Sequence, residues 1–327
     1  MTGDAPPVTA APPQRGPVAG GAPARRVWRR GPLWIAAACV AAVVVLYVLA
    51  LGVDAVQRAD EQLRYPQIVG DWRLRDDASD TFARVAATGF AVWGVLVAAV
   101  ALAVGRVRRA VPVAAAFGLA AGATWALSEL LGRLDPLGGE ALRYSIEGDG
   151  TRLPAPGGFP SGHAAVAAGL AVATILALPP RLRPAGVAVT VPVVAAVCTG
   201  IMALGWHYPS DILAGVLLSI VAGAVVAASP LWPPEPRRRR GVVAAIVGAD
   251  VALTLCAAAG AWGLASLPDE SAGTFADAHP RFIAFCVIVP VLAALCLTAL
   301  SLALRSGNVG EDPSGDPRRL TPGAPIG

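Results

Sequence analysis

Eight runs of apolar residues, most of them about twenty long, divide this 327-residue chain: 33–53, 84–105, 110–131, 161–178, 185–205, 209–228, 242–265 and 282–304. About twenty residues of helix, rising 1.5 Å each, cover the ~30 Å hydrocarbon core of a bilayer. The runs therefore predict an all-α, polytopic membrane protein with eight transmembrane helices. Composition agrees: 55% of the residues are hydrophobic and 15% charged, against roughly a quarter charged in soluble domains. Apolar residues gathered in such blocks also exclude a collagen-like or wholly disordered chain.

The charge pattern gives a topology. All 26 basic residues are arginine, so lysine chemistry such as a Schiff base is excluded. Arg25, Arg26, Arg29 and Arg30 precede the first run, and Arg106, Arg108 and Arg109 join the second to the third. Arg181, Arg183, the stretch Arg237 to Arg240, and Arg305, Arg318 and Arg319 fall on the same side of an eight-helix chain. By the positive-inside rule that side is cytoplasmic. The alternate connections are acidic: 54–83 carries Asp54, Asp60, Glu61, Asp71, Asp76, Asp77 and Asp80, and 266–281 carries Asp269, Glu270 and Asp277. These are expected as outer loops of a multi-pass plasma-membrane protein with both termini inside. The net charge of +4 is then topogenic, and nucleic acid is not an expected partner. The bilayer is one, and oligomeric state is open.

The expected domain organisation is a disordered cytoplasmic tail over 1–31, a six-helix membrane core over 32–228, a basic cytoplasmic loop over 229–241, two additional transmembrane helices over 242–304 and a second disordered tail over 305–327. Cys39, Cys198, Cys256, Cys286 and Cys296 lie in apolar runs without CxxC spacing, as small hydrophobes rather than a zinc site or disulfide framework. Glu129, near a helix end, is the one charge singled out within a span, which argues against a transporter.

Two of the three histidines sit in polar clusters at helix starts on the side assigned as outer. Gly158-Phe159-Pro160-Ser161-Gly162-His163 runs into an apolar block. Ser before a helix is a cap, and free backbone N–H groups of the first turn suit an anion such as phosphate. Gly205-Trp206-His207-Tyr208-Pro209-Ser210-Asp211 opens the next-but-one helix. His207 and Asp211 are four residues apart, so a turn brings the carboxylate to an imidazole nitrogen, fixing the tautomer and stabilising the imidazolium. Trp206 and Tyr208 are expected as interfacial belt residues. His279, in an acidic connection, has no such company.

Pro160-Ser161-Gly162-His163, followed about forty residues later by His207-Tyr208-Pro209-Ser210-Asp211, resembles the second and third signature motifs of the type 2 phosphatidic acid phosphatase superfamily, whose fold is shared with vanadium-dependent haloperoxidases. The resemblance spans about 84–228. It implies a lipid phosphatase in which His207 attacks phosphorus, Asp211 orients it and His163 protonates the leaving group, with Ser161 and Gly162 at the phosphate. It implies no metal and no cofactor, and a lipid phosphate as substrate.

The chain departs from the motifs in its cations. Aligned on Pro136, the first motif's Lys and Arg are replaced by Ser128 and Asp135, and the Ser-Arg that opens the third motif is replaced by Gly200 and Ile201. Arg133, Arg143 and Arg152, in the connection between the third and fourth runs, are the candidate replacements. Two function classes follow. One is a phosphatase acting on a lipid phosphate monoester or diphosphate at the outer face. The other is a weak or inactive relative that binds lipid phosphates or partner proteins as a scaffold.

Overall fold

A computed structural model describes residues 29–64, 72–105, 107–131, 158–233, 241–265, 277 and 279–304. The described chain is helical without strands: α1 (Arg30–Gly52), α2 (Asp54–Arg64), α3 (Trp72–Gly105), α4 (Val107–Leu131), α5 (Gly162–Ala177), α6 (Arg183–Ala203), α7 (Pro209–Ala228), α8 (Gly241–Ala265) and α9 (Pro280–Ala303). All eight predicted runs are helices. Seven are long and apolar enough to cross a membrane, and the protein is a multi-pass membrane protein. The exception is α5, whose 16 residues rise only about 24 Å. Ser161 caps its start, and Pro179-Pro180 follow its end.

α5 is short because it is a core helix. It packs against α3, α4, α6, α7 and α9, and twelve of its residues are buried. Small residues let its neighbours approach closely, as in other membrane bundles. On α7, Gly215, Ser219 and Gly223 recur every four residues on the face toward α5. A Cβ on Gly215 would lie 2.5 Å from the Ser161 carbonyl oxygen. Ser219 Oγ donates to the carbonyl of Ala165 at 2.8 Å. Outside this core the surface remains apolar, with Trp34, Val48, Val95, Trp125 and Val243 exposed, as lipid-facing helices require. The last two helices are not peripheral to the core: Val289, Ala293, Leu297 and Leu300 of α9 belong to the same buried cluster as α5 and α7.

Arg29, Arg109 and Arg183 lie at one end. The Arg29 amide donates to the Ala228 carbonyl at 3.0 Å and its guanidinium to the Pro233 carbonyl at 3.1 Å. Arg109 reaches the Leu178 carbonyl and lies 5.9 Å from the Trp232 ring. Arg183, expected as a surface charge, is fully buried, with Nε 3.0 Å from the Ile175 carbonyl. Its guanidinium meets the carbonyls that end α5.

Several expectations need correction. The connection 54–83 is largely helical, as α2 and the N-terminal part of α3. The inward face of α2 mixes buried Gln57 and Asp60 with half-buried Val56, Ala59 and Leu63, an apolar stripe that the acidic residues of the connection obscure. Arg29, counted with the tail in the sequence, is tied to α7. A charge unnoticed in the sequence is Asp250, exposed near the middle of the apolar stretch Val242–Gly260 of α8. Residues 1–28 and 305–327, expected as tails, lie outside the described residues.

Candidate active site

The end of the bundle opposite Arg29, Arg109 and Arg183 holds both histidine clusters. α6 stops there by a left-handed cap. Gly205 has φ 69°, its amide donates to the Met202 carbonyl at 2.9 Å, and the Trp206 amide donates to the Ile201 carbonyl at 3.1 Å. That is the Schellman pairing, which glycine alone adopts without strain. Three residues later α7 begins: Tyr208 is extended (φ −76°, ψ 153°) and Pro209 takes the first helical position, where its missing N–H leaves no bond unmade. Two adjacent caps thus hold Trp206 and His207 in a turn of fixed shape.

Asp211, at the third helical position, completes this turn. It is fully buried, and its Oδ2 accepts the Tyr208 amide at 3.2 Å. The same oxygen stands 3.6 Å from His207 Nδ1, ion-pair range but just beyond a hydrogen bond. The His207 side chain is 11% exposed. Nδ1 is buried without a hydrogen-bond partner, so the accessible part of the ring lies away from it. The arrangement leaves Nδ1 facing the carboxylate and the opposite edge of the ring open to a reactant.

The second cluster is joined to the first through backbone. The Ser161 amide donates to the Asp211 carbonyl at 2.9 Å, and Ser161 Oγ accepts the Ala164 amide at 3.4 Å as the cap of α5. Ser161 is fully buried. Of Ser161, expected at the phosphate, the N–H is committed to Asp211. The unpaired amides of a helix's first turn fall instead to Gly162 and His163, both exposed. The ring of His163 lies 5.1 Å from that of Trp206, next to His207 in the chain. His163, His207 and Asp211 are therefore assembled in one place.

Arg133, Arg143 and Arg152 lie outside the described residues. Ser128 does stand at the site, since a Cβ on Gly158 would lie 3.3 Å from it, but its hydroxyl donates back to the Trp125 carbonyl at 2.8 Å. Ile201 is fully buried. A Cβ on Gly200 would lie 2.5 Å from Cε2 of Phe82, so the ring of Phe82 fills that place. Among the described residues no group of three His, Cys, Asp or Glu is arranged to hold a metal.

Sequence reasoning missed three participants. Asp60 of α2 grips the first turn of α7, where Ser210 Oγ donates to Oδ2 at 2.5 Å and the Ser210 amide to Oδ1 at 3.3 Å. Ser79 and Phe82 of α3 both touch Trp206. Each contact is between segments distant in sequence, and nothing local signals it. Trp206, expected as a belt residue, is half-buried within the site.

Residues 142–234 match the family model described as the PAP2 superfamily, a segment that contains both histidine clusters. No curated protein and no solved structure matches the chain. With the matched segment carrying His163, His207 and Asp211 in one assembled site of an all-helical bundle, the match over residues 142–234 supports membership of the PAP2 superfamily and a phosphatase-like membrane protein.

Proposed function

We propose that the protein is a lipid phosphatase that hydrolyses a phosphate monoester or diphosphate through a phosphohistidine intermediate, without metal or cofactor. The observation that carries this reading is the joining of Ser161 to Asp211, which brings the exposed first-turn amides of α5 to the His207–Asp211 pair. In the first step the open nitrogen of His207 attacks phosphorus. A P–N bond forms, the P–O bond to the lipid breaks, and His163 delivers its proton to the leaving oxygen. In the second step His163 takes a proton from water, which attacks phosphorus and releases phosphate and neutral His207. Asp211 offsets the positive charge on the phosphorylated ring. The amides of Gly162 and His163 at the start of α5 suit the phosphate oxygens, and Arg133, Arg143 or Arg152 supplies the cation that Ser128, Asp135 and Ile201 do not.

The apolar flank of the bundle favours a lipid-tailed substrate, whose headgroup reaches the site from the bilayer. We read the end that holds Arg29, Arg109 and Arg183 as cytoplasmic, with both termini inside and the histidines at the outer face of the plasma membrane. We read 32–228 as the phosphatase core and 242–304 as an appended helical pair that buttresses it.

A second reading, a scaffold that binds lipid phosphates without turning them over, is favoured by one observation: two places of the family's cations hold Ser128, whose hydroxyl turns back to the Trp125 carbonyl, and the fully buried Ile201. Phosphate release from a panel of lipid phosphates in detergent, with and without a chelator, separates the two. The phosphatase reading expects release from at least one lipid, unaffected by chelator and lost in His207→Ala. Binding of the same lipids without release supports the scaffold.

A further inference from the structure

We propose that Trp206 is a positioning residue for His163, and that the outer part of α3 holds it in place through Ser79 and Phe82. The inference rests on the reading of His163 as the acid that protonates the leaving group. His163 is exposed at the start of α5, and an exposed imidazole samples several rotamers. An acid must lie within hydrogen-bond reach of the oxygen it protonates, so that freedom lowers the rate. Among the described residues, the ring contact made by His163 is with Trp206, 5.1 Å between centroids at an interplanar angle of 52°. This falls in the range of favourable aromatic pairs.

Trp206 is itself restrained from three directions. Its amide is fixed by the cap of α6, donating to the Ile201 carbonyl at 3.1 Å. Its indole Nε1–H donates to Ser79 Oγ at 2.8 Å. The ring of Phe82 meets it edge-on, 5.5 Å away at 78°. Phe82 fits there because residue 200 has no side chain. The glycine that replaces a family serine therefore has a use: it admits the ring that braces Trp206 against His163. Phe82, Trp206 and His163 form a stack running from α3 across the α6–α7 turn to α5.

The test exploits leaving-group chemistry. An alkyl phosphate needs its leaving oxygen protonated, whereas 4-nitrophenyl phosphate releases a stabilised phenolate and does not. If Trp206 acts through His163, Trp206→Ala lowers kcat on a lipid alkyl phosphate by about tenfold or more with KM little changed. The nitrophenolate burst from 4-nitrophenyl phosphate, which reports the first step alone, should slow by less than about threefold in the same variant and in His163→Ala. The Trp206→Ala/His163→Ala double variant should be no slower than His163→Ala alone. Trp206→Phe, which keeps a ring on His163, should recover part of the alkyl phosphate activity. Gly200→Ala, which displaces Phe82, should reproduce the selective loss more weakly and serves where Trp206→Ala does not fold. Equal losses on both substrates, or additive losses in the double variant, overturn the proposal. A parent that hydrolyses neither substrate overturns the phosphatase reading and this role with it. An active parent with unselective Trp206 variants overturns this role alone.

Discussion

The backbone amide of Ser161 donates to the backbone carbonyl of Asp211 at 2.9 Å, tying the residue that caps α5 to the residue that supports His207. No side chain takes part in this bond, so its existence depends on how closely α7 approaches the start of α5. Gly215, one turn after Asp211, sets that distance, because a Cβ there would meet the Ser161 carbonyl oxygen at 2.5 Å. The separation of the two clusters is thus governed by a residue in neither.

Gly215→Ala tests this directly. Both groups that would collide are backbone, so α5 and α7 must part, at about 1–3 kcal/mol of overpacking. The expected result is a lower midpoint of thermal unfolding in detergent and weaker phosphate release. Gly118→Ala in α4, where a Cβ meets nothing within 4 Å, should leave both unchanged.

Replacing His207 by alanine removes the proposed nucleophile, and turnover and trapped phosphoprotein should disappear together. Asp211→Asn keeps a side chain able to accept the Tyr208 amide but removes the charge facing Nδ1, so turnover should fall by about ten- to a thousandfold without vanishing. Rapid-quench labelling with a radioactive lipid phosphate measures both, and full activity in His207→Ala would sink the covalent mechanism.

Asp60 accepts two hydrogen bonds from Ser210 in the first turn of α7. Hydrogen bonds to a charged group are worth about 1.5–3 kcal/mol each. Asp60→Ala should therefore destabilise the fold by an amount of that order, while Asp60→Asn, which keeps one acceptor, should cost less. Thermal unfolding in detergent distinguishes them, and a neutral Asp60→Ala would mean that α2 does not brace the site.

The missing cations make a prediction of their own. One of Arg133→Ala, Arg143→Ala or Arg152→Ala should cost roughly ten- to a hundredfold in turnover, the equivalent of about 1.5–3 kcal/mol of charge-assisted bonding. Arg133 is the leading candidate, two residues from the position of the family's arginine. Ile201→Arg should not restore activity, because residue 201 is fully buried and an unpaired guanidinium there destabilises the core. Parent-like turnover in all three alanine variants would rule out compensation.

Cysteine labelling checks the orientation. Cysteines introduced at Gly150 and Ser271 should react with a membrane-impermeant thiol reagent in intact cells, and one at Gly241 should not. The reverse pattern would place the histidines in the cytoplasm.

The sequence by itself determined the helices and the turns that carry the chemistry. Apolar runs of bilayer length, Gly205 at the end of α6, Ser161 before α5 and Pro209 at the start of α7 act through local backbone preferences, which do not wait for the rest of the chain to fold. The spacing of His207 and Asp211 placed one near the other for the same reason. Only the tertiary structure decided what surrounds them. Ser161 meets Asp211, Asp60 meets Ser210, and Ser79 and Phe82 meet Trp206 across sequence separations of 50, 150, 127 and 124 residues (211 − 161, 210 − 60, 206 − 79 and 206 − 82). Such contacts follow from the packing of helices on one another, where a missing side chain at Gly200 or Gly215 fixes a distance. A glycine in an apolar run says that something comes close; which residue comes close is decided by the bundle.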